Sequence, residues 1–177
     1  MKAPNKPEPI KAPSLQRKLE IYSFYQLIWR TDFELIKKRV LLASSFDCEP
    51  WGSRVTKITE NAIREIARND FNHPSGKLCR NHFLPRNATH DKMLKIEKPM
   101  KFKKWWKLFW RYDKSILMTT IEHKLVGQKR KDEISNLYNL DWKKGYFAND
   151  ILASWKHRKT IEGEFVRKIC EENNIEY

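Results

Sequence analysis

Two histidines carry side chains able to do chemistry on a phosphate, His82 and His123, each beside a polar neighbour. His82 follows Asn81 and stands three residues ahead of Pro85; His123 follows Glu122, just after a short apolar run at 115–120. An imidazole titrates near neutral pH, so it can take a proton from water for in-line attack on phosphorus. Negative charge then builds on the phosphate and the leaving oxygen, and a divalent cation neutralises it. Oxygen donors suit Mg²⁺, while Mn²⁺ or Zn²⁺ also accepts nitrogen. His90 reads as a turn residue, and His73, ahead of Pro74, is assigned no role.

A strand and a helix must position these groups. The turn His73-Pro74-Ser75-Gly76 leads into β-compatible residues 77–84, which end at Pro85. A polar loop follows. Phe102, Trp105, Trp106 and Phe109 recur at i, i+3, i+4 and i+7, which predicts an amphipathic helix with these rings facing the core. Trp110 lies off that face and is the better candidate to stack on a nucleic-acid base. Lys101, Lys103, Lys104, Lys107 and Arg111 form the exposed face. Thr119 and Glu122 stand at capping-box spacing, so a helix is expected from about residue 120.

Upstream, residues 1–13 hold four prolines interleaved with lysines and read as a flexible basic arm. Ser14 caps a helix to about residue 29 with Ile21, Phe24, Tyr25 and Ile28 on one face. Thr31 and Glu34 open a second helix to about residue 43, with Phe33, Ile36 and Val40 at helical intervals. Residues 44–53 read as a loop, and 59–69 as a third helix with Ile63, Ile66 and Ala67 inward. Further helices are expected at 132–139, 148–157 and 160–172.

The run Arg80-Asn81-His82-Phe83-Leu84-Pro85-Arg86, followed after a gap by Asp113-Lys114-Ser115-Ile116-Leu117-Met118-Thr119-Thr120-Ile121-Glu122-His123-Lys124-Leu125, resembles the HNH or ββα-metal nucleases, especially their short phage-encoded members. The resemblance spans residues 76–126. It implies His82 as general base and Asn81 and His123 as ligands of a divalent metal ion (Mg or Mn, with Zn as an alternative). Glu122 and Asp91 are alternative donors. Asn81 stands where that family usually has an acidic residue or histidine, and Asp113 and Lys114 occupy the stretch where a middle asparagine is expected.

Composition agrees with a polyanionic partner. Among 177 residues, 36 Lys and Arg face 22 Asp and Glu, for a net charge of +14. Such an excess repels itself in a compact chain and draws in anions, above all nucleic acid. Arg80, Arg86, Lys103, Lys104, Lys107, Arg111, Lys124, Lys129 and Arg130 are the candidate contacts, with DNA favoured over RNA. The Lys156-His157-Arg158-Lys159 cluster is a further candidate for a backbone track. No stretch has the length of a membrane span or the form of a signal peptide, and Cys48, Cys79 and Cys170 form no C-x-x-C pair. Reduced thiols and a cytoplasmic location are expected. With five glycines there is no phosphate-cradling Gly-rich loop, and neither G-x-S-x-G nor H-E-x-x-H occurs.

The expected fold is α+β and mainly helical: a basic arm (1–13), an N-terminal helical region (14–75), an HNH-like ββα region (76–127) and a C-terminal helical region (128–177). The expected function is metal-dependent cleavage of nucleic-acid phosphodiesters. The alternative is a non-catalytic DNA- or RNA-binding regulator or nucleoprotein component.

Overall fold

The computed structural model describes residues 9–47, 49–82, 85–127, 133–147 and 159–177. Its elements are α1 (Leu15–Arg30), α2 (Leu35–Asp47), β1 (Arg54–Thr59), α3 (Glu60–Arg68), β2 (Leu78–His82), α4 (Arg86–Leu94), α5 (Phe102–Tyr112), β3 (Lys114–Thr119), α6 (Thr120–Gly127), β4 (Leu137–Asn139) and α7 (Lys159–Asn173). The fold is mainly helical α+β around one four-stranded sheet of order β2-β3-β1-β4. β1 and β3 are parallel, while β2 and β4 pair antiparallel on either side. No helix among the described residues is long and apolar enough to cross a membrane.

Local signals start several elements. The Ser14 side chain accepts from the Arg17 amide at 3.1 Å and opens α1. Thr59 accepts from the Ala62 amide at 3.2 Å and opens α3. Each satisfies an amide that a helix's first turn leaves without an intrahelical partner. Thr119 and Glu122 complete a reciprocal capping box: the Thr119 hydroxyl accepts from the Glu122 amide at 3.1 Å, and the Glu122 carboxylate accepts from the Thr119 amide at 3.0 Å.

Two apolar clusters fill the interior. One lies between the sheet and helices α3 and α7, with Val55, Ile58, Ile63, Ile66, Leu117, Val166 and Ile169 buried in it. The other is formed by α1, α2, α4 and α5 around Tyr25, Leu42, Phe46, Met93, Trp105 and Phe109. Trp105 stacks on Tyr25 at 5.2 Å and on Phe109 at 5.9 Å, and Phe46 stacks on Phe109 at 3.8 Å. Aromatic rings in offset or tilted contact contribute beyond the area they bury.

Several expectations are corrected. Phe24 is 38% exposed although Ile21, Tyr25 and Ile28 are buried. Phe33, just before α2, and Ile36 and Val40 on it are exposed, because Leu42 and Phe46 face the core instead. Residues 44–53 are not all loop: α2 runs to Asp47. The polar stretch after Pro85 forms α4, where His90 is buried rather than in a turn. Residues 137–139 form a strand against β1, where a helix was expected. The basic arm is anchored at its end: Ile10 is buried and its amide donates to the Lys143 carbonyl at 2.8 Å. The expected helix at 148–157 lies outside the described residues. Cys79 and Cys170 are free thiols, and Cys48 lies outside the described residues.

Candidate nucleic-acid interface

Helix α5 builds its surface from a repeating pair of residue types. Lys103, Trp106, Lys107, Trp110 and Arg111 recur at i, i+3, i+4, i+7 and i+8, so cations and indoles share one face. Trp105 and Phe109, on another face, are buried in the helical cluster. The face left outside forms an open groove with Leu15 and Lys18 of α1, Phe102, and Lys114 at the start of β3. Lys18, Lys103, Lys107, Arg111 and Lys114 therefore rim a floor of Phe102, Trp106 and Trp110. Trp106 and Trp110 lie 5.5 Å apart with planes tilted by only 22°. The Lys18 ammonium sits 5.3 Å from the Trp106 ring.

Trp110 is held from behind. The Arg54 guanidinium lies 3.6 Å from its ring centroid, close enough for a strong cation–π contact. Arg54 is 2% exposed and donates to the Asp113 carboxylate at 3.4 Å, to the Asp113 carbonyl at 3.3 Å and to the Trp110 carbonyl. Burial pulls the guanidinium pKa down to about 10, and the Asp113 carboxylate partly offsets this, so Arg54 stays charged at neutral pH. Trp142 meets Trp110 edge-on at 5.8 Å, and Trp51 leans on it at 5.9 Å. Asp113 also accepts from the Ser53 amide at 2.9 Å, and Ser115 donates to the Ser53 carbonyl at 2.6 Å. These bonds join the starts of β1 and β3, and Ser53 takes a left-handed backbone (φ 50°) that non-glycine residues seldom adopt.

A second, smaller recess lies across α5, where the end of β2 meets α4. His82, Arg86, Thr89, His90, Tyr112 and Asp113 line it, closed by Ala43, Phe46 and Phe109. Arg86 donates to the Ser53 hydroxyl.

The nuclease-like residues lie on β2 and α6. β2, β3 and α6 do follow one another as strand, strand and helix, but α4 and α5 intervene and β3 also pairs with β1. His82 pairs with Ser115, whereas α6 starts beyond Thr119, which pairs with Leu78. At about 3.3 Å per residue the two ends of this ribbon lie roughly 13 Å apart. His82 lines the recess, and His123 is exposed on α6. Asn81, next to His82 on the strand, projects to the opposite face of the sheet. His82, the expected base, and Asn81, an expected ligand, thus leave β2 on opposite faces, and His123, the other expected ligand, stands on α6. Among the described residues no group of three or more His, Cys, Asp or Glu side chains is arranged to hold a metal.

The alternative donors are engaged elsewhere. Asp91 ion-pairs with Arg39 and, at 2.9 Å, with Lys95, which together hold its carboxyl below the usual range. Glu122 is 2% exposed. It accepts from Thr59 (2.7 Å), Asn61 (3.2 Å), Thr119 (amide and hydroxyl, each 3.0 Å) and Ser135 (hydroxyl 2.6 Å, amide 3.2 Å). Burial acts to raise its pKa, but these donors outweigh it and the net shift is downward.

Of the expected nucleic-acid contacts, Lys103, Lys107 and Arg111 line the groove, and Lys104 is exposed on α5 outside its lining. Arg80 donates to the Phe147 carbonyl at 2.8 Å, Arg86 lines the recess and Lys124 is exposed on α6. Lys129, Arg130 and the cluster at 156–158 lie outside the described residues, as does the side chain of Lys159. Sequence reasoning missed Lys18 and Lys114, which reach the groove from other elements, and placed Trp106 in the core.

No family model, curated protein or solved structure matches this chain. The functional reading therefore rests on the geometry of the groove and the recess.

Proposed function

We propose that this protein binds nucleic acid, with the groove beside α5 as its contact surface. The observation that supports this reading is the ring of five cations, Lys18, Lys103, Lys107, Arg111 and Lys114, around an aromatic floor. Among the described residues none of the five is ion-paired to an acidic side chain. Cations gathered in this way, in a chain of net charge +14, are suited to contact phosphates and release the counterions condensed on them. Anisotropy titration of labelled DNA and RNA oligonucleotides tests the reading. Five phosphate contacts predict affinity for a single strand roughly 100-fold weaker on going from about 50 to 200 mM salt. Absence of binding at the lower salt removes it.

Phosphodiester hydrolysis is a second reading, favoured by one observation: His82 shares its recess with His90, Arg86 and Tyr112. His82 would take a proton from water, and Arg86 would offset charge on the phosphate. Incubation with supercoiled plasmid and structured RNA, with Mg²⁺, Mn²⁺ and EDTA arms, tests for turnover. A His82→Ala protein that cuts as fast as the unmodified chain at equal metal removes the proposed base.

A further inference from the structure

We propose that the α5 groove takes unpaired nucleobases on Trp106 and Trp110, so that its preferred ligand is single-stranded nucleic acid rather than duplex. This deepens the binding reading above and rests on it. A duplex hides the faces of its bases in its own stack and offers phosphates to a surface such as this, for which lysines alone suffice. Here the lysines border half-buried indole rings that line the floor of an open groove. Every base has a π-face, so such a floor accepts bases without regard to sequence.

The floor is held in place before any ligand arrives. Arg54 backs Trp110 at 3.6 Å, and its own position is set by Asp113 and the Trp110 carbonyl, while Trp142 meets the ring edge-on at 5.8 Å. Trp106 stacks against Trp110 with ring centroids 5.5 Å apart, so the two indoles of the floor steady one another. A ring already fixed in its working orientation loses little conformational freedom on binding. The rim also argues for the occupant: five cations around an apolar floor complement a ligand that alternates anionic links with planar apolar groups. A single strand has that chemistry, and an acidic peptide with aromatic side chains is the competing outcome.

The test compares ligands that differ only in their bases. The full-length, unmodified protein is titrated with an oligothymidylate, with an abasic oligonucleotide of the same length and phosphate count, and with a duplex, while tryptophan emission and anisotropy are followed. The expected result is quenching by the oligothymidylate, and binding to the abasic strand that is roughly 5- to 150-fold weaker for each base that stacks, without quenching. The duplex binds more weakly than the oligothymidylate. Trp106→Ala and Trp110→Ala reduce affinity for the oligothymidylate and leave affinity for the abasic strand unchanged. Should Trp110→Ala fail to fold, the thymidine-to-abasic comparison still decides, because it uses the unmodified chain. Equal affinity for thymidine and abasic strands overturns the stacking proposal and leaves the basic surface as the binding site. Binding to none of the three overturns both, and an acidic aromatic peptide is then the ligand to titrate.

Discussion

Arg54 links the buried interior to the exposed groove. Its side chain is nearly inaccessible, lies 3.4 Å from the Asp113 carboxylate and supports the Trp110 ring. Removing one partner of a buried ion pair leaves the other desolvated without its counter-charge, which costs about 3–5 kcal/mol. Arg54→Leu is expected to lower unfolding free energy by about 3 kcal/mol in urea melts, and Arg54→Leu with Asp113→Asn to cost less than the two single changes added. Additive losses would show that the pair is not coupled. Glu122 poses the opposite case, a buried carboxylate stabilised by hydrogen-bond donors and by its place at the start of α6. Its folded pKa lies below the ordinary 4.5, so its contribution is complete above that value and is lost as pH falls through the lower folded one. Glu122→Gln leaves buried donors facing an amide nitrogen, at a cost of about 2 kcal/mol near neutral pH. The gap between variant and unmodified chain should narrow as pH drops below 4.5. A gap that stays constant through that acid range rules out this ionised role.

The elements depend on close approaches as well as caps. Helix α7 packs on α3, and at Gly163 an added Cβ would strike the carbonyl of Phe71, itself in a left-handed conformation. The obstacle is backbone and cannot rotate away, so Gly163→Ala must push α7 off its seat. We expect a loss of about 1–3 kcal/mol. Unfolding midpoints read by circular dichroism check this, and an unchanged midpoint would mean that α7 can shift without penalty. Much of this element level was legible in the sequence. Ser14 and the Thr119–Glu122 pair announce helix starts because a cap acts over three residues, whereas Thr59, read as the first helical residue, is the cap of α3. Helix α4 was missed because Pro85, at its N-cap position, makes no side-chain capping bond, and its stretch is polar. Strand β4 was missed because three residues offer no alternation to read.

At the scale of the whole molecule, charge is the governing property. A net +14 disfavours compaction through self-repulsion, and anionic ligands relieve it. Lys103 and Lys107 stand on the same rim, so a Lys103→Ala/Lys107→Ala protein should lose two phosphate contacts without altering the core. The plot of log affinity against log salt for an oligothymidylate should then become shallower by about 1.4. An unchanged slope would place the phosphates elsewhere on the surface. The same substitutions should weaken binding to all base sequences alike, since phosphate contacts carry no sequence information.

The amino-acid sequence alone determined the charge, the mainly helical α+β character, the capped starts of α1 and α6 and the amphipathic character of α5. All of these arise from composition or from interactions a few residues apart. The tertiary structure decided what meets across long separations: Arg54 opposite Lys114 in parallel strands, Lys18 beside Trp106, and His82 at the far end of a ribbon from the start of α6. It also turned Phe24, Ile36 and Val40 outward despite their helical spacing. Periodicity tells which residues share a face of a helix, but only packing against the rest of the chain selects which face is buried.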